Sequence, residues 1–184
     1  MDQKGVAMKV SDFNSISMNG RMAYGILCVE TYLLTKYPKD NWSKLSKLMW
    51  ESTSSYWDEW DNKFIEIIPE YLFEKETYAE SEFEYLTEDE YNSYVALFKD
   101  KPLIINTLLM KLHELEEVYC YSSIPGKGKD ASQFIVDICN TLEEEGVSLP
   151  DLNLVQFSDF SEKNGWGEQF DGSKLSLIIN HKEN

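Results

Sequence analysis

Apolar residues in this chain recur mostly at helical spacing. Met22, Ile26, Val29 and Leu33 repeat at i, i+4, i+7 and i+11, with Ala23, Leu27 and Leu34 widening the stripe. That is one buried face of a 3.6-residue period, and Pro38 closes the helix it predicts. Asp40 or Asn41 can cap a short second helix carrying Leu45, Leu48 and Met49. Ser54 or Ser55 can start a third, with Trp57, Trp60, Phe64, Ile67, Ile68 and Tyr71 on its inner face. Pro69 ends or kinks that helix, because proline removes an interior hydrogen bond.

Thr87-Glu88-Asp89-Glu90 is a capping box ahead of Tyr91, Tyr94, Val95 and Phe98. Asp100-Lys101-Pro102 then opens a helix with the longest stripe: Ile105, Leu108, Leu109, Leu112, Leu115 and Tyr119. Asp130, with Gln133 three residues on, caps a helix lined by Phe134, Ile135, Ile138 and Leu142, and Gly146 stops it. After Pro150 the pattern changes. Leu152/Leu154 and Val155/Phe157 alternate, and Asp171-Gly172 is a turn signal before Leu175, Leu177 and Ile179, so a small hairpin or an irregular cover is expected. The fold class that follows is mostly α, a bundle of about six helices with an irregular C-terminal segment. No repeat or low-complexity linker divides residues 1–184, which are taken as one domain with 1–10 as a frayed extension.

A chain of 184 residues with 42% hydrophobic and 14% aromatic content can fill a core. Its formal charge of −16 disfavours nucleic acid and anionic membrane as direct partners, since both are polyanions, and favours encounter with a basic protein. Cys28, Cys120 and Cys139 are odd in number and lack CxxC or zinc-like spacing, so they are expected as reduced thiols. Met1 to Met18 is polar and mixed, unlike a secretory signal. The apolar stretch Met22–Leu34 is broken by Glu30 and too short for a bilayer. A cytoplasmic location is the expectation.

Chemistry is sparse. His113 and His181 are the only histidines, neither in a metal-hydrolase spacing, and His113 reads as a partly exposed surface residue. There is no G-x-S-x-G elbow, no Walker A motif and no calcium loop. Pro125-Gly126-Lys127-Gly128-Lys129-Asp130 could cradle an anion, but without the rest of a phosphate loop it reads as a mobile connector. The expectation is therefore a protein that is not an enzyme, with neither cofactor nor metal.

Charge distribution changes this picture. Between Glu51 and Glu90 the chain carries fourteen acidic residues against Lys63 and Lys75, a local net of −12 out of −16. The same stretch holds nine aromatic residues, so it is no solvated tail. Capping and the helix dipole account for Glu88, Asp89 and Glu90. Elsewhere like charges on adjacent turns cost a helix roughly 0.2–0.5 kcal/mol per pair, which folding alone does not require. Glu80, Glu82 and Glu84 alternate, which would put three carboxylates on one side of an extended connector. The candidate partner-binding residues are Asp58, Glu59, Asp61, Glu66, Glu70, Tyr78, Glu80, Glu82, Glu84 and Tyr85, the two tyrosines as exposed anchors.

Two further stretches are distinctive: Ser17-Met18-Asn19-Gly20-Arg21-Met22-Ala23-Tyr24-Gly25 and Gly165-Trp166-Gly167-Glu168-Gln169-Phe170-Asp171-Gly172-Ser173. In a small acidic helical chain, they resemble the immunity proteins of bacterial polymorphic-toxin systems. The resemblance implies a protein that binds and neutralises a cognate toxin, here one with a basic surface such as a nuclease. It assigns no binding position. Read independently, Arg21 pairs with a carboxylate from elsewhere in the fold, and the glycines suit tight turns around a docked Trp166. Two alternatives use other chemistry: a nucleic-acid mimic that inhibits a DNA-binding enzyme, and a small-ligand domain with a pocket near Trp166 and Tyr24.

Overall fold

The computed structural model describes residues 7–55 and 57–180, leaving aside the side chains of Trp57 and Asp58. Among these residues the chain forms eight α-helices: α1 (Met18–Lys36), α2 (Ser43–Glu51), α3 (Trp57–Ile67), α4 (Pro69–Leu72), α5 (Tyr78–Ser81), α6 (Glu88–Phe98), α7 (Leu103–Glu117) and α8 (Lys129–Glu144). Four 3-10 turns, Val10–Phe13, Leu152–Val155, Glu162–Gly165 and Gly172–Leu175, complete it. The fold is all-α, and α4 and α5, four residues each, raise the helix number above that read from periodicity.

Local rules place most of these elements. Ser17 caps α1 by accepting from the Gly20 amide at 3.1 Å. Pro69 ends α3 and takes the first position of α4. Thr87 and Glu90 complete the reciprocal capping box of α6. Gly146 lies just past α8 at φ +69°, with the Val147 amide bonding back to the Leu142 carbonyl.

At the centre α1, α7 and α8 pack against one another. Gly25 permits the close crossing: a Cβ there would sit 2.7 Å from Leu112 of α7. The α7 stripe predicted from spacing, Ile105 through Tyr119, is buried throughout. α2 seats on α1 and on the 3-10 turn Gly172–Leu175, while α3 seats on α7.

Four expectations are corrected. Among the described residues the C-terminal segment is the irregular cover and not the hairpin: a run of 3-10 turns, two of them capped by Asp151 and Asp171, with a β-bridge joining Ile16 to Asp159. The alternation misled because Leu152 and Val155 stack at 3-10 spacing, leaving Leu154 exposed. Residues 7–10 are not frayed: the Lys9 amide bonds the Asp12 carboxylate at 2.8 Å, ahead of a fully buried Phe13. Residues 1–6, the remainder of the expected frayed extension, lie outside the described residues. α8 starts at Lys129, with Gly128 rather than Asp130 as its cap residue. Tyr71, assigned to the inner face of the third helix, is exposed beyond it on α4.

Candidate functional site

Segment 66–90 forms an acidic lobe, held by polar bonds across the chain. The Glu66 carboxylate accepts the backbone amides of Glu84, Tyr85 and Leu86 at 2.8, 3.0 and 2.8 Å. Tyr78 donates its hydroxyl to the Leu86 carbonyl at 2.7 Å, and its ring packs on Phe83 and Tyr91. This lobe needs a short turn rather than an extended connector. Tyr78–Ser81 is helical and Glu82 follows at φ +53°, so the alternation of Glu80, Glu82 and Glu84 does not describe a strand.

The predicted binding residues accordingly divide. Glu59, Glu70, Glu80, Glu82 and Glu84 have exposed side chains, and Tyr85 is 42% exposed. Glu74, Glu76, Glu88 and Asp89 extend that exposed set. Glu66 does not belong with them, because its carboxylate is spent on three backbone amides. Nor does Tyr78, whose hydroxyl and ring are both engaged inside the lobe. Asp61 turns inward to His113. The Asp58 side chain lies outside the described residues. Of the two lysines in the lobe's stretch, Lys63 pairs with Glu90 at 3.0 Å and Lys75 with its neighbour Glu74 at 3.1 Å.

His113 is buried, not a partly exposed surface residue. Its Nε2 lies 2.9 Å from an Asp61 oxygen, a contact that becomes an ion pair when the imidazole is protonated. Burial alone would lower the imidazole pKa, but Asp61, Glu117 and Glu114 raise it above the ordinary value. One turn further along α7, Glu116 is 4% exposed. Burial, helped by the Asp61 charge, pushes its carboxyl up to about 8, so it is protonated at neutral pH. No sequence motif singles out Glu116. The signal was its place on the α7 apolar stripe, four residues after Leu112 and three before Tyr119.

Glu116 lines a cavity of about 460 Å³ together with Asn19, Ser52, Cys120, Trp166, Glu168 and Gln169. The pocket near Trp166 thus exists, but Tyr24 is no part of its lining: its hydroxyl donates to the Pro150 carbonyl at 3.0 Å inside the fold. The wall is built by turns. Gly167, at φ +81°, leaves room for Ser17, whose Oγ would lie 2.2 Å from a Cβ added there. Asn19 of α1 donates to the Gly167 and Glu168 carbonyls at 3.3 and 3.2 Å, tying both distinctive stretches together.

Arg21 is fully buried and, among the described residues, meets no carboxylate. It donates to the carbonyls of Phe13, Lys127 and Gly128 at 2.8–2.9 Å and lies over the Phe160 ring. Burial lowers its pKa to about 10. The 125–130 loop is therefore pinned to α1 through two of its carbonyls, and is not a loose connector. Cys28 and Cys139 are buried thiols, and Cys120 lies beside the pocket; none of the three is in a disulfide among the described residues. Among the described residues no group of three or more His, Cys, Asp or Glu side chains could hold a metal ion, and no helix is long and apolar enough to cross a membrane. His181 lies outside the described residues. Compared with protein-family models, with curated proteins and with solved structures, the chain finds no match in any of the three.

Proposed function

We propose that this protein is an inhibitor of the immunity type, which captures a basic toxin, such as a nuclease, through the acidic lobe. The observation that carries the reading is the exposure of Glu70, Glu74, Glu76, Glu80, Glu82 and Glu84 with one lysine, Lys75, among them. A fold of this kind has no structural need for so many uncompensated carboxylates. Carboxylates presented this way attract lysines and arginines that would otherwise hold phosphates, and they accelerate encounter at low salt. Tyr85 supplies an exposed aromatic anchor beside them.

The reading gains from the way the lobe is held. Glu66 and Tyr78, by fixing residues 84–86, pre-organise the exposed acids and reduce the ordering cost of binding. The test is co-expression with the product of the gene beside its own. Protection of the cells and a stable complex are expected. Loss of both in the triple variant E80K/E82K/E84K would place the interface on the lobe. Absence of protection and of any complex with the wild-type chain would reject the immunity reading.

A further inference from the structure

The pocket between α1, α7 and the C-terminal turns is rich in acceptors, because several of its side-chain donors are already in use. The Asn19 amide donates to Gly167 and Glu168, the Gln169 amide to Ser55, and the Ser52 hydroxyl to the Met49 carbonyl. What these side chains retain are mainly acceptors, Asn19 Oδ1, Gln169 Oε1 and the lone pairs of Ser52, with one N–H of Gln169 left over. Glu116 adds a carboxyl group that is more than nine-tenths buried, lines the cavity and has no hydrogen-bond or ion-pair partner among the described residues. Glu168 adds another at the rim. The one lysine in the lining, Lys163, is 63% exposed and sits 3.4 Å from Glu168. An anion entering here would meet two carboxyl groups and few free donors.

We propose that this pocket binds a guanidinium cation, with Glu116 as its counter-ion and the Trp166 indole as its apolar wall. A planar guanidinium brings five donors to a site rich in acceptors, stacks on an aromatic face and pairs with a carboxylate in fork geometry. The cavity is larger than that head group and has room for the alkyl chain behind it. Two sources share this chemistry: free arginine-like metabolites, and an arginine side chain offered by a protein partner.

Binding would change the charge of Glu116. The groups facing it are Asp61 from α3, His113 from α7, Cys120 and Tyr121 just beyond α7, and Lys163 and Glu168 from the C-terminal turns. Asp61 is compensated by His113, so Glu116 is the group left to ionise against an incoming cation, releasing a proton. Affinity should therefore rise with pH by up to about tenfold per unit until the carboxyl ionises on its own.

The experiment measures binding of L-arginine amide, of its uncharged isostere L-citrulline amide, and of an arginine-containing tripeptide blocked at both ends. Intrinsic tryptophan fluorescence and calorimetry serve as readouts. Saturable binding of arginine amide, with at least about tenfold preference over citrulline amide and at least about tenfold loss in E116Q, identifies a small-cation site. Binding of the tripeptide alone, with the same E116Q loss, identifies a site for a partner's arginine. E116Q removes a buried ionisable group, so its thermal unfolding should be no lower than wild type, which separates lost binding from lost fold. Three results overturn the proposal: no binding of either cation up to about 10 mM, equal binding of citrulline amide, or undiminished binding by E116Q.

Discussion

Asp61 and His113 face each other at 2.9 Å across the contact between α3 and α7, both largely removed from solvent. This contact ties α3 to the centre of the fold. It also sets the charge next to Glu116, which Asp61 helps to keep protonated.

The first prediction concerns pH. The unfolded chain loses the Glu116 proton near 4.5, whereas the folded chain keeps it until about 8. Folding therefore binds an extra proton between those values, and stability falls as pH rises, by up to about 1.4 kcal/mol per unit. His113 acts in the same sense: its pKa is raised, so its contribution is complete below about 6.5 and is lost as pH climbs through the folded value. Urea unfolding from pH 5 to 8 should show declining stability in the wild type and a clearly flatter profile in E116Q. Proton NMR titration should show the His113 pKa falling in D61N, where burial acts with less opposition.

A second prediction follows from Glu66. Removing its carboxylate in E66A leaves the amides of Glu84, Tyr85 and Leu86 without their acceptor. A destabilisation of about 1.5–3 kcal/mol is expected, as for hydrogen bonds to a charged group. Amide exchange at residues 84–86 should accelerate more than exchange in α7. Uniform acceleration, or none, would contradict the role given to Glu66.

The third prediction addresses Arg21. R21M keeps bulk but removes three hydrogen bonds: the Lys127 carbonyl loses its donor, while the Phe13 carbonyl keeps only the Ile16 amide and the Gly128 carbonyl only Ser132. A loss of roughly 3–5 kcal/mol is expected. R21K should also be destabilised, because an ammonium group cannot span the carbonyls of two separate segments with the geometry of the guanidinium. Chemical denaturation measures both, and a neutral R21K would show that the fork is not needed.

The α1 and α7 stripes, the Thr87–Glu90 capping box and the Gly146 stop were legible because each is encoded within one or two turns of chain. The polar centres were not, because their partners lie far away in sequence. Glu30 interrupts the α1 stripe, yet in the fold it is fully buried and accepts from Trp50, Ser46, Ser176 and the Leu177 amide. Arg21 finds carbonyls more than a hundred residues on, and His113 finds Asp61 on another helix. The common sign was a charged residue on an otherwise apolar helical face, present at Glu30, His113 and Glu116 alike. For the acidic lobe, charge composition located the segment, but it could not tell carboxylates that bond backbone, such as Glu66, from those that face water. Pocket formation depended on Asn19 meeting residues 167–168, a contact that periodicity does not encode.

The fourth prediction concerns the lobe itself, and its measurement is the salt dependence of affinity for the product of the neighbouring gene, with the wild type set beside E80K/E82K/E84K. The wild type should bind tightly and weaken steeply as salt rises, because exposed charges are screened. The variant should bind at least about tenfold more weakly at low salt with a shallower slope. Equal affinity and equal slope for the two proteins would contradict the assignment of partner capture to the exposed acids of the lobe.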